Sequence, residues 1–296
     1  MENLFSIKKV CAAVSLSIAA SAAMAGPIIL GGDDLTAHGS RVAGVNQAGW
    51  KYIELATSNL LTSQTRGGVI TSDIAALGSI DNPTFTGGNA GGAIGSAADV
   101  LGKSVAYFDG AAAINLFFAN LTSGLINPSM IWLAGDDAAN DLDATEIAAL
   151  TLNAGAINTF VTSGGALMSH GAQNVYGWLS ALLPGLNAVG GCSSTGATLT
   201  VAGQAAFPGL TNANVDINAG PCHNHFTGNF GGLTTLAFDG QGRSYIIGGG
   251  GGTIIQCGLP GQPACPTNVP EPESIALLAL GLLGLVGIRR RKSKIA

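Results

Sequence analysis

The chain of 296 residues holds only four histidines, His38, His170, His223 and His225. His38 follows Asp33-Asp34, which in turn follow the short apolar run Pro27–Leu30. His170 follows a second apolar run, Ala166–Ser169. If both runs are strands of a parallel sheet, both histidines lie at its carboxyl edge, where open α/β sheets bind ligands. Cys222-His223-Asn224-His225 sets two imidazoles on one side of an extended segment, because alternate residues share a face. Asp33, Asp34, His38, His170, His223 and His225 can thus converge on one divalent metal, and these nitrogen and oxygen donors suit zinc or a similar ion. The plainer reading makes all six surface-loop residues with local hydrogen bonds. The sequence does not choose the metal over it.

The remaining candidates are thinner. Leu167-Met168-Ser169-His170-Gly171 comes close to the Gly-x-Ser-x-Gly turn of serine hydrolases but lacks its first glycine. Ser169 is therefore a weakly supported nucleophile. Asp136, Asp137, Asp141, Asp143 and Glu146 form an acidic run without the glycine and spacing of a calcium-binding EF-hand loop. Gly87–Gly95 is glycine-rich, yet it has no Gly-x-Gly-x-x-Gly frame and no following lysine, so it is no nucleotide loop.

Four cysteines remain beyond the first 25 residues: Cys192, Cys222, Cys257 and Cys265. An even count in an exported chain favours disulfides. Three pairings are open. The short gap makes Cys257–Cys265 a natural small loop, and Cys192–Cys222 would then staple the irregular part of the body. Zinc binding through cysteine needs Cys-x-x-Cys spacing, which is absent.

The elements that must position these residues read as alternating strands and helices. Strands are expected at 27–30, 69–71, 104–108, 129–134 and 166–169. Helices are expected at 45–62, 87–101, 111–120, 143–161 and 175–183. The helix from Asp143 is the clearest, since Asp143-Ala144-Thr145-Glu146 makes a capping box. Such repeats imply an α/β fold of three layers with a mostly parallel, flavodoxin-like sheet. Beyond Leu183 the pattern turns β-rich and irregular, with strands expected at 198–201, 233–238 and 244–247. Asp239-Gly240 suits a tight turn between the last two.

Charge bounds the function classes. Between residues 26 and 268 only Arg41, Lys51, Arg66, Lys103 and Arg243 are basic, against 14 Asp and Glu. That field repels phosphate backbones, so nucleic acid is excluded as a partner. The other seven Lys and Arg lie at the two ends. At the first end, Lys8-Lys9, an apolar run and Ala23-Met24-Ala25 have the form of a secretory signal cut after residue 25 by signal peptidase. At the other, Val269-Pro270-Glu271-Pro272 precedes the uncharged Ile275–Ile288 and then Arg289-Arg290-Arg291-Lys292. As a helix the apolar run rises only about 22 Å against a hydrocarbon core of about 30 Å, which suits a temporary stop in the membrane. The basic cluster would stay inside and leave the body outside.

This tail resembles the PEP-CTERM sorting signal, also labelled an ice-binding-protein C-terminal domain. The resemblance implies recognition by an exosortase-type membrane protease and release to the cell surface or the exopolysaccharide matrix. The domain reading is therefore signal peptide 1–25, α/β body 26–256, linker 257–268 and sorting signal 269–296. The body resembles the class I glutamine-amidotransferase-like proteins on the pattern of Ser129–Asp136, Gly164–Gly171, Ala206–Leu210 and the strands around Asp239. Enzymes of that superfamily carry a nucleophilic cysteine just after the strand matching Ala166–Ser169. Ser169 and His170 stand there instead. The expectation is a binding or structural body without catalysis. The alternative is a secreted hydrolase, metal-dependent or serine-based, acting on matrix glycans or peptides.

Overall fold

A computed structural model describes residues 26–136, 138–193, 195–216 and 221–250. The expected signal peptide, Asp137, the Cys257–Cys265 loop, the linker and the sorting signal lie outside the described residues. The strands are β1 (Ile28–Gly31), β2 (Gly39–Val42), β3 (Val45–Ala48), β4 (Ser72–Leu77), β5 (Val105–Phe108) and β6 (Pro128–Leu133). They continue with β7 (Ala166–Ser169), β8 (Leu186–Gly190), β9 (Thr198–Leu199), β10 (Asn224–Gly228), β11 (Thr234–Phe238) and β12 (Ser244–Gly249). The helices are α1 (Gly49–Ser63), α2 (Ala90–Leu101), α3 (Ala111–Ser123), α4 (Ala144–Leu152), α5 (Ala154–Thr162), α6 (Leu179–Leu182), α7 (Val201–Ala206) and α8 (Asn212–Val215). A 3-10 helix spans Gln173–Trp178.

One eight-stranded sheet runs in the order β5-β4-β6-β7-β1-β12-β11-β9. The first five strands are mutually parallel. Among them β4, β5, β6 and β7 take the places of the first four strands of the flavodoxin order. The fifth place is filled by the N-terminal strand β1, which pairs with β7 through Ile28–Leu167 and Leu30–Ser169. Every residue of β1, β6 and β7 is buried, so both faces of the sheet's centre are covered, as a parallel sheet requires. Helix α1 packs on α2 and touches β1, β6 and β7; α3 packs on α4, and α4 on the 3-10 helix. The core between these layers holds Trp50, Trp132 and Trp178, all fully buried. The α/β class with a mostly parallel sheet is thus observed.

The β-rich C-terminal part is the other wing of the same sheet. β12 joins β1 antiparallel, and β11 and β9 extend it. Two small ladders lie apart from the sheet: β2 with β3, and β8 with β10. Neither was legible beforehand. The β2–β3 turn has Ala43 and Gly44 at φ 49° and 82°, the positive pair a two-residue hairpin needs, but without the Asn-Gly that usually announces it.

Four expectations need correction. The helix expected over 45–62 begins only at Gly49, because Val45–Ala48 pairs with β2 as β3. The strand placed at 69–71 lies at 72–77. The helix expected over 143–161 begins with its capping box intact, but it breaks at Asn153 into α4 and α5. There the Asn153 side chain donates to the Ala149 carbonyl and to Asn115, both at 2.8 Å, competing with the helical ladder. The helix expected at 175–183 is a 3-10 turn followed by four residues of α-helix.

Candidate functional site

The carboxyl ends of β1 and β7 open side by side, and the chemistry-bearing loops leave from them. Gly32-Asp33-Asp34 leaves β1 as a pinned segment. The Gly32 N–H donates to the Tyr245 carbonyl, while the Gly32 carbonyl accepts from the His223 N–H at 2.8 Å. The Asp34 N–H donates to the Pro221 carbonyl at 3.0 Å, and the Gly171 N–H to the Asp33 carbonyl at 2.7 Å. Only glycine fits at 32, because a Cβ there would sit 2.0 Å from the Asn224 carbonyl oxygen. The two strand-end loops and the 221–224 segment are thereby laced into one backbone unit.

Two side-chain groups grow from it. The first is sealed. Asp33 and His170 are both fully buried, and the His170 Nδ1–Asp33 Oδ1 distance is 2.8 Å. The carboxylate fixes the tautomer with the proton on Nδ1, and Asp33 Oδ1 also accepts from the Leu35 N–H at 3.1 Å. The imidazole lies edge-on to Tyr52, with ring centroids 6.2 Å apart, and 5.8 Å from Trp132. Burial, together with the negative Asp33, pushes the Tyr52 phenol well above its ordinary pKa; Tyr176 and Tyr245 are raised chiefly by burial as well. Asp33 Oδ2, His170 Nε2, the Tyr52 hydroxyl, Trp132 Nε1, Ser169 Oγ and the Asn224 amide are buried without hydrogen-bond partners. Each such atom costs about 1–3 kcal/mol if left bare.

The second group reaches solvent. His38 Nε2 lies 3.1 Å and His223 Nε2 3.2 Å from the same oxygen, Oδ2 of Asp34. Asp34 is 2% exposed, while the two imidazoles are 18% and 27% exposed. Its other oxygen, Oδ1, is buried without a partner.

Five of the six expected residues therefore meet at this edge, in two groups. His225 does not join them. Its Nδ1 lies 2.8 Å from the Gly191 carbonyl on the exposed β8–β10 ladder. The shared-face rule fails because β10 begins at Asn224, which leaves His223 outside the strand and bonded to Gly32 instead. Ser169 ends β7 fully buried, with no turn presenting its hydroxyl to solvent. Tyr52 and Asn224 line the sealed group without any signal in the sequence, since both are brought there by the fold.

Cys192 and Cys222 form a disulfide with Cα atoms 5.8 Å apart, one of the three pairings left open above. Cys222 bridges Asp33 in a short antiparallel contact, so the crosslink lies directly behind the site. Sulfurs of this pair and an Asp239 oxygen lie within 4.8 Å of one another. They are no metal site, because the sulfurs are bonded to each other and the Asp239 carboxylate is held by Arg243. Three described members of the acidic run serve structure: Asp143 caps α4, Glu146 Oε1 accepts from the Gly110 N–H, and Asp136 Oδ1 from the Ala172 N–H.

A second concavity, about 330 Å³, lies beside the opposite edge and is lined by Arg66, Thr122, Thr159, Phe160 and Ser163. Its hydroxyls donate to helix carbonyls, and the Arg66 guanidinium lies over Phe160 and is bonded to Asn127. It offers a ligand little that is not already committed.

Residues 268–292 match the PEP-CTERM protein-sorting motif. With that motif the chain is an exported, exosortase-sorted protein of the cell envelope or extracellular space. The motif covers only the tail and says nothing of the body's chemistry. No curated protein and no solved structure matches the chain. The amidotransferase-like resemblance of the body thus rests on its residue pattern alone. Among the described residues, no helix is long and apolar enough to cross a membrane.

Proposed function

We propose that the body is a non-catalytic binding module, delivered by its PEP-CTERM signal to the cell surface or the exopolysaccharide matrix. Its ligand contacts are the partly exposed His38 and His223 at the carboxyl edge. The observation that carries this reading is the state of the buried His170–Asp33 pair beside the Ser169 hydroxyl. His170 is fully buried with Nδ1 on Asp33, and Ser169 is fully buried beside it. A nucleophile and base must reach a substrate, and these reach none. A metal-dependent hydrolase is the second reading, favoured by the two imidazoles gathered on Asp34.

The exported chain should co-sediment with exopolysaccharide from its own host and release neither reducing ends nor peptide amines during the incubation. Sustained release that stops on Asp34→Asn substitution would replace the binding module with the hydrolase. Neither retention nor release would remove both readings and leave a structural role.

A further inference from the structure

We infer that the groove between the 3-10 helix and β8 binds a segment of a neutral polysaccharide. The inference rests on the binding reading above, adds a second contact face to it and names its ligand class.

The groove has a volume of about 370 Å³, within the roughly 300–1,000 Å³ of ligand pockets. Its floor is apolar and fixed. Tyr176, Leu179 and Leu186 line it, and each is no more than 5% exposed. The Tyr176 hydroxyl is turned inward, donating to the Gly31 carbonyl at 2.6 Å, so the groove meets its ring. Trp178 and Phe226 brace that ring, with centroids 5.8 and 5.3 Å away. The rim is exposed and polar, built from Gln173, Asn174, Ser180 and Asn187. Gln173 Oε1 accepts from the Gly190 N–H at 2.6 Å, which leaves both amide hydrogens of Gln173 to a ligand. Asn187 Nδ2 donates to the Gly185 carbonyl at 3.4 Å and leaves its own oxygen. The Asn174 amide and the Ser180 hydroxyl have no hydrogen bond to other described residues.

A sugar ring has the complementary form: an apolar C–H face, and an edge of hydroxyls that both donate and accept. Carboxamides and a hydroxyl match such groups in either sense. Among the described residues no charged side chain lines the groove, which favours a neutral chain over an acidic one. The backbone argues against an extended peptide in its place. Residues of β8 turn alternately toward β10 and away from it. Of the N–H groups turned away, that of Leu186 donates to the Leu183 carbonyl and that of Gly190 to Gln173. Only Ala188 keeps its N–H and carbonyl open, too little for an added strand but enough for a pair of hydroxyls. The next residue, Gly191, donates to the His223 carbonyl, so the groove adjoins the edge that carries His38 and His223.

The test titrates the full-length chain recovered after export with cellohexaose, maltohexaose and dextran, read by calorimetry. Saturable binding of at least one is expected. Asn174→Ala and Asn187→Ala should each weaken it about 2–10-fold, the loss of one hydrogen bond. Ser180→Trp fills the groove from an exposed position and should abolish binding, while Thr159→Ala in the opposite concavity leaves it unchanged. Where a variant fails to fold, hydrogen exchange on the unmutated chain decides, and the bound sugar should slow it across 173–180 and 186–190. Binding of none of the three glycans, of acidic alginate or casein peptides in their place, or full binding by folded Ser180→Trp overturns the groove. Matrix co-sedimentation unchanged by Ser180→Trp overturns the groove alone; glycan binding without co-sedimentation sinks the matrix reading alone.

Discussion

At the scale of single residues, the body concentrates its charge in a few buried contacts, and Asp239 is the one most completely surrounded. Its two oxygens accept from the N–H groups of Ser193, Gln241 and Arg243 and from Arg243 Nε, all between 2.8 and 2.9 Å. Burial alone would raise its pKa, but these donors and the Arg243 charge outweigh burial and hold it below the ordinary value. A carboxyl lowered on folding contributes stability that is present above its unfolded pKa, about 3.9, and lost as pH falls through the lower folded value. Asp239→Asn removes that charge and turns an amide NH2 toward donors. We expect a loss of about 2–3 kcal/mol at neutral pH in urea denaturation. The gap to the parent should shrink below pH 4 or so. A variant as stable as the parent at pH 7 would mean the carboxylate contributes nothing. Legibility was uneven at this scale. Asp33, Asp34, His38 and His170 were readable because each follows an apolar run whose end fixes its position. His225 was misread because alternation was carried across a strand boundary, and Asn224 was invisible because an asparagine in a loop carries no signal of its burial.

At the scale of elements, the parallel strands were readable from their apolar runs and the start of α4 from its capping box. The ladders β2–β3 and β8–β10 were not. Their residues are polar or half-exposed, as in Gly39–Val42 and Asn187–Gly190, so no periodicity marks them. The shared end of β8 and β10 is closed by the Gly191 N–H to the His223 carbonyl and by the Cys192–Cys222 disulfide, while the ladder is held to the body by β10 packing on β12 and by the His223 N–H to the Gly32 carbonyl. The crosslink spans 30 residues, and closing such a loop in the unfolded chain stabilises the native state by about 2–4 kcal/mol. The double variant Cys192→Ser, Cys222→Ser should therefore unfold at a lower urea midpoint than the oxidised parent. The two should coincide once the parent is reduced. If the oxidised parent and the variant share a midpoint, the staple has no thermodynamic role.

At the scale of the whole molecule, the order of the sheet put the site together, and it is the part least visible in a single sequence. β1 was readable as a strand, but nothing in it says that it fills the fifth place beside β7, or that β12 returns antiparallel on its other side. The tail poses the opposite case, since its meaning lies wholly in its order: Pro270-Glu271-Pro272, an uncharged stretch, then the arginines. Two prolines one residue apart cannot continue a helix, which suits reading by a protease in extended form. The stretch after them is short for a bilayer, and the basic end opposes its passage outward. If exosortase reads the motif matched at 268–292, cleavage there frees the body and leaves the apolar stretch behind. Replacing Pro270, Glu271 and Pro272 by alanine removes the motif but keeps both the apolar stretch and the basic end. The full-length chain should then accumulate in the membrane fraction, with its body accessible to protease added outside. Fractionation and immunoblotting against the body read this directly. Release at the parent's rate would show that the motif is not the signal, and a body protected from external protease would show that the chain had not been exported at all.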